Sequence, residues 1–100
     1  MTQEEYNKAK RRDRVYYARM MPSLGYYEIH ELHMVSIYDD YCSASDVKTK
    51  QAFILSTKEA LELLYIDRAD ALKYLKKKEK ENKHVRVIRD KIKLEDDDED

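Results

Sequence analysis

The residues with the clearest chemical potential in this sequence are lysines that recur at intervals of three or four positions. This spacing brings side chains together on one face of a helix, and it aligns the ammonium groups of Lys73, Lys76, Lys77 and Lys80. A row of cations neutralises successive phosphates and releases the counterions that surround nucleic acid. The sequence therefore predicts a helix face that binds nucleic acid, with an ordinary solubilising surface as the alternative.

Charge is strongly segregated along the chain. The formal net charge is −1 over 100 residues, yet residues 68–94 carry eleven basic and four acidic side chains, and residues 95–100 are all acidic. We expect residues 95–100 to form a disordered acidic tail. Such a tail either competes with phosphate for the basic region or only aids solubility.

The composition argues against several classes of protein. Cys42 is the single cysteine, so no intrachain disulfide can form, and a reducing, cytoplasmic location is expected. No apolar run reaches the roughly 18 residues that a membrane span needs, so we expect no membrane partner. The sequence has no glycine-rich phosphate loop and no nucleophile in a recognisable setting. We therefore expect no enzymatic activity and no cofactor.

A pair of histidines is the other candidate for chemistry. His30 and His33 are three positions apart, and Asp39, Asp40 and Cys42 follow them. The zinc-protease motif separates its two histidines by four positions on a helix, so the string HELHM does not match it. We expect a packed or half-exposed histidine pair and no metal site.

Capping signals and apolar periodicity predict the elements of the N-terminal half. Thr2 and Glu5 form a capping box that opens a helix over residues 3–21, and a wide apolar surface predicts a second helix over residues 26–42. Residues 52–55 are apolar and rich in strand formers, which favours a short strand. The tyrosine-rich first helix is also the candidate surface for a homodimer.

The same signals predict the C-terminal half. A second capping box, Ser56 with Glu59, begins a helix of about nine residues, and Asp67 caps a further helix that carries the lysines. A turn of about three residues between them is typical of a helix-turn-helix. After Asn82 apolar and charged residues alternate, which predicts a β-hairpin with Arg89-Asp90 as its turn.

The segment over residues 54–94 resembles the winged helix-turn-helix of excisionases and related regulators of phages and mobile elements. The string STKEALELLYIDRADALKYL is similar to the first helix, turn and recognition helix of that family, and HVRVIRDKIKL is similar to its wing. The resemblance implies exposed recognition-helix positions at Arg68, Ala69, Lys73 and Lys77. It implies wing contacts at Arg86, Arg89, Lys91 and Lys93.

These inferences combine into one expected architecture, mainly α with a small β-hairpin. A single winged helix-turn-helix domain would span residues 1–94, with one or two N-terminal helices that include a helical extension (1–25). The expected function is that of a DNA-binding accessory or regulatory protein of a phage, plasmid or mobile element, which binds duplex DNA. The alternative is a small protein-binding module that uses the same fold on a host protein, and the acidic tail with Asp67 and Asp70 favours it.

Overall fold

Residues 1–21, 26–81 and 87–90 are described by the structure, a computed structural model. The elements in chain order are α1 (Gln3–Lys8), β1 (Arg14–Met21), β2 (Tyr26–Ile37), β3 (Tyr41–Asp46), β4 (Ala52–Ser56), α2 (Thr57–Leu63), β5 (Leu64–Tyr65), α3 (Arg68–Glu81) and β6 (Val87–Asp90). Within these residues, no helix is both long enough and apolar enough to cross a membrane.

The strands form one sheet around β2. Five of them are antiparallel neighbours in the order β4-β3-β2-β1-β5. β1 pairs with residues 26–33 of β2, so that Tyr17 lies opposite His30, and β3 pairs with residues 32–37. β6 pairs in parallel with residues 26–29. Because β1 occupies one edge of β2 there, β6 must lie on the same edge as β3.

Helices cover both faces of this sheet, because successive side chains of a strand point to opposite faces. On one face Leu32 and Met34 belong to a cluster that we call the α2 core, with members from β1, β3, β4, α1, α2 and β5: Val15, Cys42, Leu55, Tyr6, Ala60 and Leu64. On the other face Tyr27 and Ile29 pack with Ala18, Ala71 and Leu75, which we call the α3 core. The sheet therefore separates two cores.

A bulge at Val35 adjusts the side-chain alternation of β2. The pairing with β3 passes from Met34 opposite Ala44 to Ser36 opposite Ser43. One extra residue on a strand reverses which face its later side chains occupy. Ile37 consequently packs against the α2 core, in the place where regular alternation would have put Ser36.

The expectation of a mainly α fold is wrong. The first helix ends at Lys8 rather than near residue 21, and the predicted second helix over residues 26–42 is replaced by β2 and the start of β3. The N-terminal helical extension (1–25) is therefore also wrong, because β1 occupies residues 14–21. The physical reason is that β2 is buried on both faces, and a strand covered on both sides loses the period-two pattern that marks a half-buried strand.

The winged helix-turn-helix is wrong as well, although both of its helices are present. The two helices predicted within residues 57–81 are confirmed as α2 and α3. They lie on opposite faces of the sheet, because Ala60 belongs to the α2 core and Ala71 to the α3 core. Between them β5 pairs with β1 as a sheet edge. A helix-turn-helix requires the apolar faces of its two helices to pack on each other, and here each apolar face packs on the sheet instead.

The hairpin predicted as the wing is wrong at Val87–Asp90, where the structure has β6. Val87–Asp90 is a single strand paired in parallel with β2, so Arg89 and Asp90 belong to a strand and not to a hairpin turn. Residues 82–86 and 91–94, which would complete the hairpin, lie outside the described residues, as does the tail at residues 95–100.

Local signals are confirmed where hydrogen bonds between near neighbours decide the structure. Both capping boxes form, with Thr2 and Glu5 at the start of α1 and Ser56 and Glu59 at the start of α2. The strand predicted at residues 52–55 is confirmed as β4.

Candidate nucleic-acid interface

A groove runs beside α3, where the chain passes around the β5 edge of the sheet. The volume of the groove is about 1180 Å³. Its walls come from the N-terminal segment, from α2 with β5, and from α3, and among its residues are Leu61, Tyr65, Arg68 and the lysines at 73, 76, 77 and 80. All four lysines predicted to form one stripe therefore lie along the same groove.

The stripe lysines are exposed, and they form no ion pair with the part of the chain that the structure describes. Lys73, Lys76, Lys77 and Lys80 are all exposed to solvent, and across residues 1–21 and 26–81 none of them takes part in an ion pair. Lys78 differs, because its Nζ atom lies 3.3 Å from Glu81 and 5.5 Å from the centre of the Tyr74 ring. The helix thus presents, over two turns, four ammonium groups that have no ionic partner among the described side chains.

The positioning of this stripe follows from the packing of α3. Ala71 and Leu75 are fully buried in the α3 core, and Leu72 and Tyr74 pack against its margin. Burying this apolar face fixes the rotation of the helix about its axis, since a helix presents a new face every 3.6 residues. The lysine face is consequently directed away from the sheet.

Two tyrosines and two leucines form the apolar part of the groove lining, which we call the apolar floor. The rings of Tyr65 and Tyr74 lie 5.8 Å apart, and Leu61 and Leu72 are half-buried beside them. The Tyr74 hydroxyl donates to Oε2 of Glu62 at 2.6 Å, and the Tyr65 hydroxyl donates to the Glu62 carbonyl oxygen at 2.8 Å. Burial and the Glu62 carboxylate raise the pKa of both phenols above their usual value, so both stay neutral at physiological pH.

Met1 lines the groove, and its ammonium group is hydrogen-bonded to the backbone at the end of α2. The Met1 ammonium donates to the carbonyl oxygens of Leu61, at 3.3 Å, and Leu64, which satisfies acceptors left open at the end of α2. Burial lowers the pKa of this ammonium from its ordinary value, against the opposing charges of Glu5 and Asp70. These two carboxylates also line the groove, so its acidic groups gather at the end where α3 begins.

The other predicted contacts divide into two groups. Arg68 is half-buried at the start of α3 and lines the groove together with Ala69. The backbone of Arg89 lies in β6, and its side chain is outside the described residues. Arg86, Lys91 and Lys93 also lie outside the described residues. The structure therefore brings together the helix contacts and gives no position for the wing contacts.

The sequence did not predict a buried ionic cluster that the structure forms around His30. The His30 ring, only 2% exposed, lies between two carboxylates. Its Nδ1 atom is 2.9 Å from Oδ2 of Asp46, and its Nε2 atom is 2.8 Å from Oε2 of Glu28. An ionised carboxylate only accepts hydrogen bonds, so each ring nitrogen faces a potential acceptor. The Arg19 guanidinium, 3.7 Å from Glu28, supplies a positive charge beside the cluster.

Aromatic rings and backbone amides complete the cluster. The ring centres of Phe53 and Tyr17 lie 5.1 Å and 6.1 Å from that of His30. Burial acts to raise the pKa of Asp46, but hydrogen bonds from the Thr49 amide, from His30 and from the Lys48 amide outweigh it, so the net shift is downward. Because the imidazole is shielded from solvent, we assign the cluster a structural role in joining β2 to β3.

The two histidines do not form a pair. His30 is buried, whereas His33 is half-exposed, because an odd number of positions along a strand places two side chains on opposite faces. Glu28 and His30, two positions apart, share a face, and a period-two pattern in this segment is the signal that would have found them. Among the described side chains, no group of three or more histidines, cysteines, aspartates and glutamates is arranged to hold a metal ion.

Comparison of the chain with protein-family models, with curated proteins and with solved structures found no match.

Proposed function

We propose that this protein binds nucleic acid by its phosphates, through the groove beside α3. The observation that carries the proposal is the alignment of Lys73, Lys76, Lys77 and Lys80 as exposed cations along one wall of that groove. Such lysines lose little when they contact a phosphate, because no ion pair within residues 1–21 and 26–81 has to break. Duplex DNA, the partner expected from the sequence, is the first ligand to test.

The same arrangement determines how binding should respond to salt. Each phosphate that a lysine neutralises contributes a slope of about −0.9 to the dependence of log affinity on log salt for duplex DNA, and about −0.7 for a single strand. Four contacts would therefore give slopes of roughly −3.6 and −2.8, respectively. Weak binding that is steeply dependent on salt is the expected signature.

The observed fold favours contacts to the phosphate backbone over base reading by a recognition helix. α3 uses Ala71 and Leu75 to pack on the sheet, on the face opposite the core that holds Ala60 of α2, whereas a recognition helix packs its apolar face on the first helix of a helix-turn-helix. We therefore propose contacts to the backbone of nucleic acid without base reading in a major groove. An accessory or regulatory role in the cytoplasm, without catalysis, completes the proposal, and the single Cys42 suits a reducing compartment.

The test compares two double charge reversals. Lys73→Glu with Lys77→Glu removes half of the stripe. Lys10→Glu with Lys58→Glu makes the same change in net charge at exposed sites that do not line the groove. We expect the first variant to lose at least tenfold in affinity at low salt and to show a salt slope flatter by about 1.4 to 1.8. Equal losses in both folded variants would show that only the total charge matters, and would overturn the proposal.

A second candidate function is binding of an acidic protein segment. The apolar floor formed by Leu61, Tyr65 and Leu72 favours it, because protein interfaces bury apolar centres within polar rims.

The first helix is the expected surface for a homodimer, and this surface is small because α1 is short and Tyr6 is buried. Self-association stays a prediction, and sedimentation of the free chain would test it.

A further inference from the structure

We propose that the groove beside α3 takes single-stranded nucleic acid in preference to duplex, with phosphates on the lysine stripe and an unpaired base against Tyr65. This inference rests on the proposed function and specifies the form of its ligand. It follows from the fact that the cationic wall and the apolar floor belong to the same concave surface.

A duplex can contact only part of such a surface. Its bases are stacked inside, and it offers phosphates on a wide convex exterior. A duplex would therefore contact the lysines but leave the floor residues Leu61, Tyr65 and Leu72 uncovered. A single strand exposes both phosphates and base faces, and aromatic side chains within a basic groove are the usual platform for it.

The tyrosines are held in place before any ligand arrives. Tyr65 belongs to β5, where it pairs with Tyr16 of β1, and its ring lies beside that of Tyr74. Both hydroxyls donate to Glu62, one to its carbonyl oxygen and one to its carboxylate. A ring fixed in this way loses little conformational freedom when a base stacks on it.

The dimensions and polarity of the groove match a short strand. Lys73 and Lys80 are seven positions apart, which is about 10 Å along a helix, and the phosphates of a stacked strand follow at about 3.4 Å intervals along its axis. The stripe therefore spans about three nucleotides of a stacked strand. Glu5 and Asp70 lie where α3 begins, so the phosphates should follow the later turns of α3.

The regular spacing of the lysines also argues for nucleic acid over an acidic peptide. Lys73 lies three and four positions before Lys76 and Lys77, and Lys80 lies four and three positions after them, so the four ammonium groups form a band of charge along one face of the helix. A nucleic acid carries one phosphate on every residue, whereas a peptide meets such a row only with a particular sequence of carboxylates. Poly-glutamate is therefore the appropriate competitor in the test.

The experiment measures fluorescence anisotropy of the full chain with three labelled DNA probes at several salt concentrations. The probes are a mixed-sequence single strand of 12 nucleotides, the corresponding 12-base-pair duplex, and a 12-nucleotide strand whose central positions are abasic. We expect the single strand to bind at least tenfold tighter than the other two at the same salt. Because the abasic strand keeps every phosphate, its weaker binding isolates the contribution of the bases without any substitution in the protein.

Two variants locate the base contact. Tyr65→Leu keeps an apolar side chain without a ring and should weaken single-strand binding roughly 5- to 100-fold, with duplex binding unchanged. Tyr65→Phe keeps the ring and should stay within about twofold of the parent, because only the exposed bond to the Glu62 carbonyl is lost.

The possible failures separate the two proposals. Equal affinity for single strand, abasic strand and duplex, each lost in the Lys73→Glu, Lys77→Glu variant, would overturn this inference and leave the proposed function standing. Absence of binding to all three probes would overturn both. Displacement of the single strand by poly-glutamate at equal charge concentration would overturn both in favour of an acidic protein partner.

Discussion

The Nε2 atom of His30 lies 2.8 Å from Oε2 of Glu28, two residues earlier on the same strand. Alternation along β2 alone brings these two side chains to one face. The opposite ring nitrogen reaches Asp46 on β3, so a single imidazole ties the central strand to its neighbour. Removal of one member of such a buried ionic set leaves uncompensated charge, which is more costly than loss of the set as a whole.

His30→Gln should therefore destabilise the fold strongly. We expect the free energy of unfolding to fall by about 3–5 kcal/mol, the usual cost of leaving a buried charge without its partner. The measurement is urea unfolding followed by circular dichroism at pH 7. His33→Gln is the matched control, since His33 is half-exposed on the same strand, and it should change stability by less than about 0.5 kcal/mol. Similar losses in both variants would contradict the structural role of the cluster.

Stability should decline in acid partly because of Asp46. A carboxyl whose pKa is lowered by folding stabilises the fold as its anion. The contribution is complete above the ordinary value of 3.8 and is lost as the pH falls through the lower pKa of the folded state. Urea unfolding at a series of pH values from 6 to 3 should show a steeper acid decline for the parent than for Asp46→Asn. Asp40→Asn, at an exposed turn, should follow the parent, and parallel curves for all three would refute this account.

Cys42 should be unreactive in the folded protein. Its side chain is buried in the α2 core, and burial raises the pKa of the thiol, so little of the reactive thiolate is present at neutral pH. We expect labelling by iodoacetamide to be slow in buffer and rapid in guanidinium chloride, as followed by mass spectrometry. Rapid, complete labelling of a chain that keeps its native circular dichroism spectrum would show that this core is open.

The two cores should respond independently to substitution. Leu64 lies in the α2 core and Leu75 in the α3 core, both fully buried. We expect Leu64→Val and Leu75→Val each to cost about 1 kcal/mol. In urea melts the double variant should lose the sum of these costs to within about 0.5 kcal/mol, because the two side chains belong to separate cores. In a helix-turn-helix these residues would lie in one core, so a clear departure from additivity would contradict the layered fold.

Sequence reasoning succeeded where structure is decided over a few residues. Thr2 with Glu5 and Ser56 with Glu59 form their capping boxes because both partners lie within one helical turn. The lysine stripe could be placed on one face of α3 for the same reason, since helical periodicity is local. These features account for α2, α3 and the cationic wall of the groove.

The rest depends on contacts between distant segments. On β2, Tyr27 and Ile29 pack in the α3 core, whereas Leu32 and Met34 pack in the α2 core. Because apolar residues lie on both faces of the strand, its sequence pattern resembles that of a buried helix. The apolar floor of the groove could not be predicted either, because Leu61 and Leu72 belong to helices on opposite faces of the sheet and line the same groove only in the complete fold. Placement of Glu28 with His30 required knowing that the segment is a strand.

The pairing of β5 with β1 has a consequence for how the protein folds. β1 to β4 form successive antiparallel neighbours, so their pairings close short loops, whereas Tyr65 must find Tyr16 across about 50 residues of chain. Closing long loops is slow and costs more chain entropy. We therefore expect the four-stranded meander to form before the β5 edge, and also before the pairing of β6 with β2, which spans about 60 residues. Because the groove lies at the β5 edge, ligand binding should appear only after the meander has formed, while hydrogen exchange at Leu64 and Tyr65 should be faster than at the centre of β2.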